Sequence, residues 1–176
     1  TVARNTKWKD RVTLFSNDIV YVNQSAQAHN LLAVHTLIAS GKEADATIRK
    51  SLLEKSAFHF SRALDIYPGF LNAAYDLGRT YEVMGRKQEA LNAYQKAMRI
   101  DTGFTLPCLN IAIILHNQGK LEEAIPYYER FLIKNPKRKE AYANLSFAYY
   151  KLKEYEKAIE TNRRLLNILP GAYEPT

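Results

Sequence analysis

The sequence predicts an all-α fold in which helical hairpins follow one another as a solenoid. The 176 residues include only 7 Gly and 6 Pro, against 25 Lys and Arg and 18 Asp and Glu, so turn formers are scarce and helix formers are common. The chain also repeats itself every 34 residues, and each repeat holds two amphipathic stretches separated by a break. These observations disfavour a β-sandwich or a barrel.

Three regular repeats, 71–104, 105–138 and 139–172, align without an insertion. The aligned columns are Leu77, Ile111 and Leu145; Gly78, Ala112 and Ser146; Tyr81, Leu115 and Tyr149; Ala90, Ala124 and Ala158; and Tyr94, Tyr128 and Asn162. Small residues allow two paired helices to approach closely, whereas the tyrosines fill the space between successive hairpins. Glycines end the first helices in a left-handed conformation and prolines end the second helices. These are Gly85, Gly119, Pro136 and Pro170.

Upstream of the regular repeats, residues 26–70 form an irregular one. Its predicted first helix, 26–39, carries the packing pair Leu32-Ala33 45 residues before the equivalent pair Leu77-Gly78. The 11 extra residues are about three helical turns, so we expect an extended second helix over 43–67. A loop near 42–47 is the alternative, and the lack of Pro and Gly within the extended stretch argues against it.

The N-terminal residues carry a further helical pattern. Trp8, Val12, Phe15 and Ile19 recur in steps of four, three and four residues, which predicts an unpaired helix over 8–24. This helix looks like the second half of a hairpin, so we expect the chain to begin partway through a larger protein. The predicted organisation is a single solenoid that occupies the whole chain, 1–176.

Charge and hydropathy exclude several classes of partner. The net charge of +7 is spread along the chain, and no basic stretch is interleaved with the aromatic residues of a single-strand groove, so we expect no nucleic-acid partner. The longest aliphatic runs, such as 111–115, are far shorter than the roughly 18 residues that span a bilayer. We therefore expect no membrane insertion by this segment.

No catalytic, metal-binding or cofactor-binding pattern is evident. The four histidines are His29, His35, His59 and His116, and none pairs with another at a spacing of four residues. Cys108 cannot form an internal disulfide because it is the single cysteine, and it occupies a packing column. We expect that this chain is not itself an enzyme and that it needs no cofactor.

The columns resemble the signature of the tetratricopeptide repeat family. That signature is carried by Leu77-Gly78, Tyr81, Ala90, Tyr94 and their equivalents. The resemblance covers 71–172 in full, but Lys153 replaces a turn glycine and Thr102 replaces a closing proline, which puts the turn geometry in doubt. The resemblance implies a right-handed superhelical α-solenoid of helix-turn-helix hairpins, whose first helices line an inner, concave surface.

A narrower resemblance concerns the first 26 residues. The run Arg4-Asn5, Trp8, Lys9-Asp10, Thr13-Leu14-Phe15, Asp18 and Ser25-Ala26 is similar to the junction between the membrane and repeat portions of the transmembrane and tetratricopeptide repeat O-mannosyltransferases and their bacterial relatives. This implies that the chain is the soluble C-terminal region of a membrane glycosyltransferase-like protein, on the lumenal or periplasmic side. The catalytic carboxylates would then lie outside this sequence, and without the relationship the chain would be cytoplasmic.

The inner side of the first helices is the predicted peptide-binding groove, because helical spacing turns it away from the hairpin partner. The groove residues are Asn72, Tyr75, Asp76, Arg79, Glu82, Leu109, Asn110, Ile113, His116, Asn144, Phe147 and Tyr150. Either curvature buries Ile113 and Phe147, or these side chains await a ligand. The expected partner is a protein or an extended peptide.

One column of the groove, Asp76, Asn110 and Asn144, is similar to the asparagine ladder of some peptide-binding members of the family. An amide both donates and accepts hydrogen bonds, so such a ladder can bind the backbone of an extended ligand. The same side chains could equally satisfy neighbouring backbone groups.

The last second helix supports an alternative function. Ile159, Leu166 and Leu169 have no following hairpin to cover them. The chain could therefore form a homodimer through the ends of its solenoid and have no peptide ligand.

Overall fold

A computed structural model describes residues 24–168, which form eight α-helices joined by short turns and, within that range, no strand. The helices are α1 (Ala26–Lys42), α2 (Ala46–Ile66), α3 (Leu71–Val83), α4 (Lys87–Ile100), α5 (Leu106–Asn117), α6 (Leu121–Lys134), α7 (Lys139–Lys151) and α8 (Tyr155–Ile168). The helix predicted over 8–24, and also Leu169 and Pro170, lie outside the described residues.

The helices form four hairpins in two compact units. Among the described residues, unit 1 (24–101) contains the hairpins α1–α2 and α3–α4, and unit 2 (102–168) contains α5–α6 and α7–α8. Inside each unit the second helix of one hairpin packs on the first helix of the next, α2 on α3 and α6 on α7. No helix within residues 24–168 is both long and apolar enough to cross a bilayer.

The turn between the two helices is the same in all three regular repeats. Gly85 and Gly119 have φ of +74° and +77°, and Lys153 takes the equivalent conformation with φ of +63°. In each turn a backbone N–H donates to the carbonyl oxygen five residues earlier, at 2.9–3.0 Å. The absence of a glycine at Lys153 therefore leaves the turn intact, at the expense of a conformation that L-residues with a side chain seldom adopt.

The irregular repeat contains the longest of the helices within residues 24–168. α2 has 21 residues, whereas α4, α6 and α8 have 14 each. The Asp45 carboxylate accepts hydrogen bonds from the backbone N–H groups of Thr47 and Ile48, which starts the helix inside the predicted stretch 43–67. Its first turn is exposed, and Ser56 Oγ farther along donates to the carbonyl oxygen of Ala33 at 2.9 Å, tying α2 to α1.

The core is built from the columns that the 34-residue repeat defines. Phe60, Tyr94 and Tyr128 occupy one column on α2, α4 and α6, and all three are fully buried. Ala90 and Ala124 are fully buried and Ala158 is nearly so, in the column where a small residue allows close helix contact. The closest approach is at Gly78, where an added Cβ would lie 2.5 Å from the ring of Tyr94.

Candidate peptide-binding surfaces

In unit 2 the two first helices, α5 and α7, bring an aromatic cluster together. The rings of His116 and Phe147 stack with their centroids 5.5 Å apart and an interplanar angle of 18°. Lys151 Nζ lies 5.4 Å from the centroid of the Phe147 ring, close enough for a cation–π interaction. Phe147 nevertheless keeps 47% of its surface exposed, and Tyr150, one turn further along α7, keeps 59%.

The buried side chain of Tyr128 on α6 contacts this cluster. Its hydroxyl lies 3.3 Å from Nδ1 of His116, and it also hydrogen-bonds Asn144. Burial raises the pKa of Tyr128 to about 12, an effect that Asn144 opposes, and burial lowers the pKa of His116. At neutral pH an Asn144 amide therefore donates to the Tyr128 hydroxyl, which can donate to a neutral His116. This chain of contacts fixes the orientation of both inner-face side chains.

The remaining predicted groove residues of unit 2 are half-buried. These are Leu109, Asn110 and Ile113, all on α5. Of the two side chains whose burial the sequence left open, Ile113 is thus half-buried while Phe147 stays exposed. Tyr150 rests against Tyr155, with ring centroids 5.9 Å apart.

In unit 1 most of the predicted residues on α3 contact neighbouring side chains. The Tyr94 hydroxyl of α4 donates to Glu82 Oε2 at 2.7 Å, and the Tyr75 ring lies 5.7 Å from the Tyr94 ring. Tyr75 and Glu82 therefore contact the hairpin partner instead of pointing wholly away from it. Burial raises the pKa of Tyr75. The side chain of Asn72, at the start of α3, is exposed.

The column that resembles an asparagine ladder is partly occupied by internal contacts. The Asp76 carboxylate accepts a hydrogen bond from Arg79 at 3.2 Å, and Asn144 hydrogen-bonds Tyr128. Burial raises the pKa of Asp76, and the Arg79 charge opposes that rise. Asp76 and Asn144 are thus held by neighbouring side chains of the same unit.

Sequence reasoning missed a cavity of about 340 Å³ in unit 1, between α1 and α3. Its lining consists of Val34, Leu37, Ile38, Ser40, Gly41, Asp76, Arg79 and Val83. The signal was present, because the 45-residue offset between the first helices of the irregular and regular repeats aligns Val34 with Arg79 and Ile38 with Val83. Applying that offset to the groove positions would have added α1 to the predicted inner surface.

A larger groove of about 720 Å³ lies on the outer side of unit 2, between α6 and α8, and a similar one of about 420 Å³ lies between α2 and α4 of unit 1. The two grooves use equivalent positions 68 residues apart, such as Tyr81 and Tyr149. Polar contacts span the larger groove, including the bond from the Tyr149 hydroxyl to Glu129 Oε1 at 2.6 Å. We attribute these spaces to the regular packing of second helices.

The predicted end-to-end interface is only partly described. Ile159 and Leu166 are exposed on α8, whose buried residues are Ala158 and Thr161. Leu169 lies outside the described residues.

Two histidines that are 30 residues apart in the chain meet inside the first hairpin. His29 Nδ1 and His59 Nδ1 are 2.8 Å apart, and both side chains are buried between α1 and α2. This distance fits a hydrogen bond in which one ring nitrogen donates and the other accepts. Across residues 24–168, no group of three or more His, Cys, Asp or Glu side chains could hold a metal ion. Cys108 is buried, and burial raises the pKa of its thiol.

Comparison with known proteins finds relatives that share about a quarter to a third of their residues with this chain over the matched regions. The mouse protein O-mannosyl-transferase TMTC3 is 25% identical over 96% of this chain and 19% of its own length. The general transcriptional corepressor ssn6 of Schizosaccharomyces pombe is 31% identical over 56% of this chain and 9% of its own length. The chain therefore spans a fifth or less of the length of these relatives.

Solved structures show the same fold. A crystal structure of MamA superposes with a TM-score of 0.75 at 16% identity, covering 89% of this chain and 85% of that one. MamA 41-end from Desulfovibrio magneticus RS-1 gives a TM-score of 0.63 at 18% identity, covering 78% of this chain and 76% of that one.

Family models of the tetratricopeptide repeat match residues 72–104 and 115–173, which together make up more than half of the chain. The structural matches agree with the helix-turn-helix hairpins seen in unit 1 and in unit 2. The chain therefore belongs to the tetratricopeptide repeat family and is an all-α protein-interaction scaffold.

Proposed function

We propose that this chain binds an extended segment of a partner polypeptide on the inner side of its first helices. The observation that carries the proposal is Phe147, a large apolar ring held in place by His116 and Lys151 and yet half-exposed. An aromatic side chain that is both ordered and accessible is typical of the anchor positions of protein interfaces.

The surroundings of Phe147 suit an extended peptide. Tyr150 adds a second exposed aromatic face with a hydroxyl that can hydrogen-bond a peptide backbone. Tyr128 holds His116 and Asn144 in position before any ligand arrives, which lowers the entropy lost on binding. An apolar side chain of the ligand would pack on Phe147 while its backbone runs along the polar groups.

We further propose that the chain is the recognition region of a larger membrane glycosyltransferase-like protein. The support is the similarity to protein O-mannosyl-transferase TMTC3 along 96% of this chain, together with the junction-like residues 4–26. In such a protein the transfer reaction would take place in another portion, on the lumenal or periplasmic side of a membrane. This chain would hold the acceptor polypeptide, without being an enzyme and without a cofactor.

Replacing Phe147 with alanine should weaken peptide binding about 10-fold, because the ligand loses its main apolar contact. The probe is a fluorescein-labelled 12-residue peptide selected from a random displayed library on the wild-type chain, and its affinity is measured by fluorescence anisotropy. Phe58→Ala is the matched control, since Phe58 is 58% exposed on α2, a second helix. Equal affinities for wild type and Phe147→Ala would refute the proposal.

Self-association through α8 is the alternative, and sedimentation velocity separates it from peptide binding. The proposed function requires that Ile159→Asp leaves peptide affinity unchanged. A concentration-dependent dimer that Ile159→Asp dissolves, in a chain that selects no peptide, would favour the alternative.

A further inference from the structure

The cavity between α1 and α3 in unit 1 has one apolar side and one charged side. Val34 and Ile38 of α1 face Val83 of α3 across it, and both Ile38 and Val83 are exposed although they are aliphatic. Asp76 and Arg79 of α3 form the charged side. A volume of about 340 Å³ lies at the small end of ligand pockets, which suits an amino-acid side chain with its adjoining backbone.

Gly41 lines this cavity with backbone alone. It lies within α1, where glycine destabilises a helix relative to alanine, and its backbone is not left-handed. An added Cβ would meet no heavy atom within 4 Å, so no neighbouring group requires a glycine here. The missing side chain leaves the helix backbone accessible from the cavity, as expected where another backbone approaches closely.

The charge presented at the cavity is mainly that of Arg79. The Arg79 side chain is 54% exposed, whereas the side chain of its partner Asp76 is 22% exposed. One guanidinium nitrogen of Arg79 contacts Asp76, at 3.2 Å, and a guanidinium carries five N–H donors. Further donors are therefore available to an incoming carboxylate, which a planar guanidinium binds well.

We propose that this cavity binds an aliphatic side chain of a partner polypeptide that is followed directly by a carboxylate side chain. The aliphatic group enters between Val34, Ile38 and Val83, the carboxylate pairs with Arg79, and the peptide backbone passes over Gly41. This inference rests on the proposed function in that the partner is a polypeptide. It concerns unit 1 alone and is independent of the cluster around Phe147.

The first test uses a short probe and the complete 176-residue chain. Acetylated and amidated pentapeptides with a central Leu-Glu, Leu-Gln or Ala-Glu pair are titrated into the ¹⁵N-labelled chain, and the amide signal of Gly41 is followed by NMR. Leu-Glu should shift this signal at least fivefold more than either other peptide at equal concentration. Equal shifts with Leu-Glu and Leu-Gln would overturn the role of Arg79.

A matched pair of variants tests the charge. Arg79→Gln should abolish the preference for Leu-Glu, whereas Arg62→Gln should retain it. Arg62 forms the same kind of exposed ion pair, with Asp65 three residues away at 3.2 Å, but does not line the cavity. If both variants kept the preference, or both lost it, the proposal would fail.

Substitutions at Gly41 that fill the cavity should raise Tm and weaken binding of the Leu-Glu peptide. Gly41→Ala and Gly41→Leu should each raise Tm by about 2–4 °C, because both residues favour a helix more than glycine does. Gly41→Leu should at the same time reduce the Leu-Glu shift, read at the Arg79 amide, at least fivefold. A full Leu-Glu shift in Gly41→Leu would contradict the proposal. If Gly41→Leu does not fold, Gly41→Ala takes its place, and a full shift in that variant would contradict the passage of the ligand backbone over Gly41. Phe147→Ala leaves the shift unchanged, so failure at this cavity and failure of the proposed function are distinguishable.

Discussion

Replacing Gly78 with alanine lowers the free energy of unfolding by about 2 kcal/mol, although the same change in an open helix would raise it. The added Cβ would lie 2.5 Å from two carbon atoms of the Tyr94 ring, a separation that Cβ atoms do not tolerate. Tyr94 cannot withdraw easily, because it is fully buried, packs on Tyr75 and donates its hydroxyl to Glu82. Urea unfolding followed by circular dichroism measures the loss, which corresponds to a fall in Tm of about 4–8 °C.

The control for this prediction is the same substitution at another helical glycine. Gly41→Ala places a methyl group where no heavy atom lies within 4 Å, so it should stabilise the chain while Gly78→Ala destabilises it. A smaller side chain at Tyr94 should relieve the clash, and Gly78→Ala combined with Tyr94→Leu should lose less than the two changes added together. If both glycine variants were stabilised, the close contact between α3 and α4 would be wrong.

Acidification should destabilise unit 1 through His59. Burial first, then the positive charges of His29 and Lys55, lower the pKa of His59 from 6.5 to about 4. The unfolded chain therefore binds more protons than the folded chain between these values, and stability rises with pH across that window. The contribution of the neutral His59 ring to the free energy of unfolding is present in full above pH 6.5. This contribution falls by about 3 kcal/mol as the pH drops to about 4.

The difference between wild type and His59→Gln isolates this effect from the titration of carboxylates. Urea unfolding of both proteins at several values between pH 7.5 and 4 should give curves of stability against pH that converge as the pH falls. Glutamine does not titrate, so the variant lacks the histidine contribution. Parallel curves over the whole range would show that His59 is not buried as a neutral ring.

Much of the fold follows from local pattern, because inside each unit one hairpin packs on the next. The left-handed turns at Gly85 and Gly119 and the burial of Tyr94 and Tyr128 are confirmed. The long α2 reflects an insertion of whole helical turns, which can be counted in the sequence. The doubt about the turn at Lys153 is resolved, since Lys153 adopts the left-handed conformation and its turn keeps the same backbone hydrogen bond as the glycine turns.

The site is less predictable, since it depends on which side chain fills each space. Periodicity placed Glu82 on the inner side of α3, but the buried Tyr94 hydroxyl needs an acceptor and Glu82 supplies it. The contact between His29 and His59 depends on the irregular hairpin length, so no fixed spacing indicates it. The cavity beside Gly41 is lined partly by a residue with no side chain, which a search for functional groups overlooks.

The most direct test of the central claim is to map where the selected 12-residue peptide binds on the ¹⁵N-labelled chain. Chemical-shift changes should concentrate on the inner sides of α5 and α7, at Ile113, His116 and Phe147, and should be weak at Ile133 in the outer groove. Changes confined to α6 and α8, with α5 and α7 unaffected, would contradict the claim that the first helices carry the recognition surface.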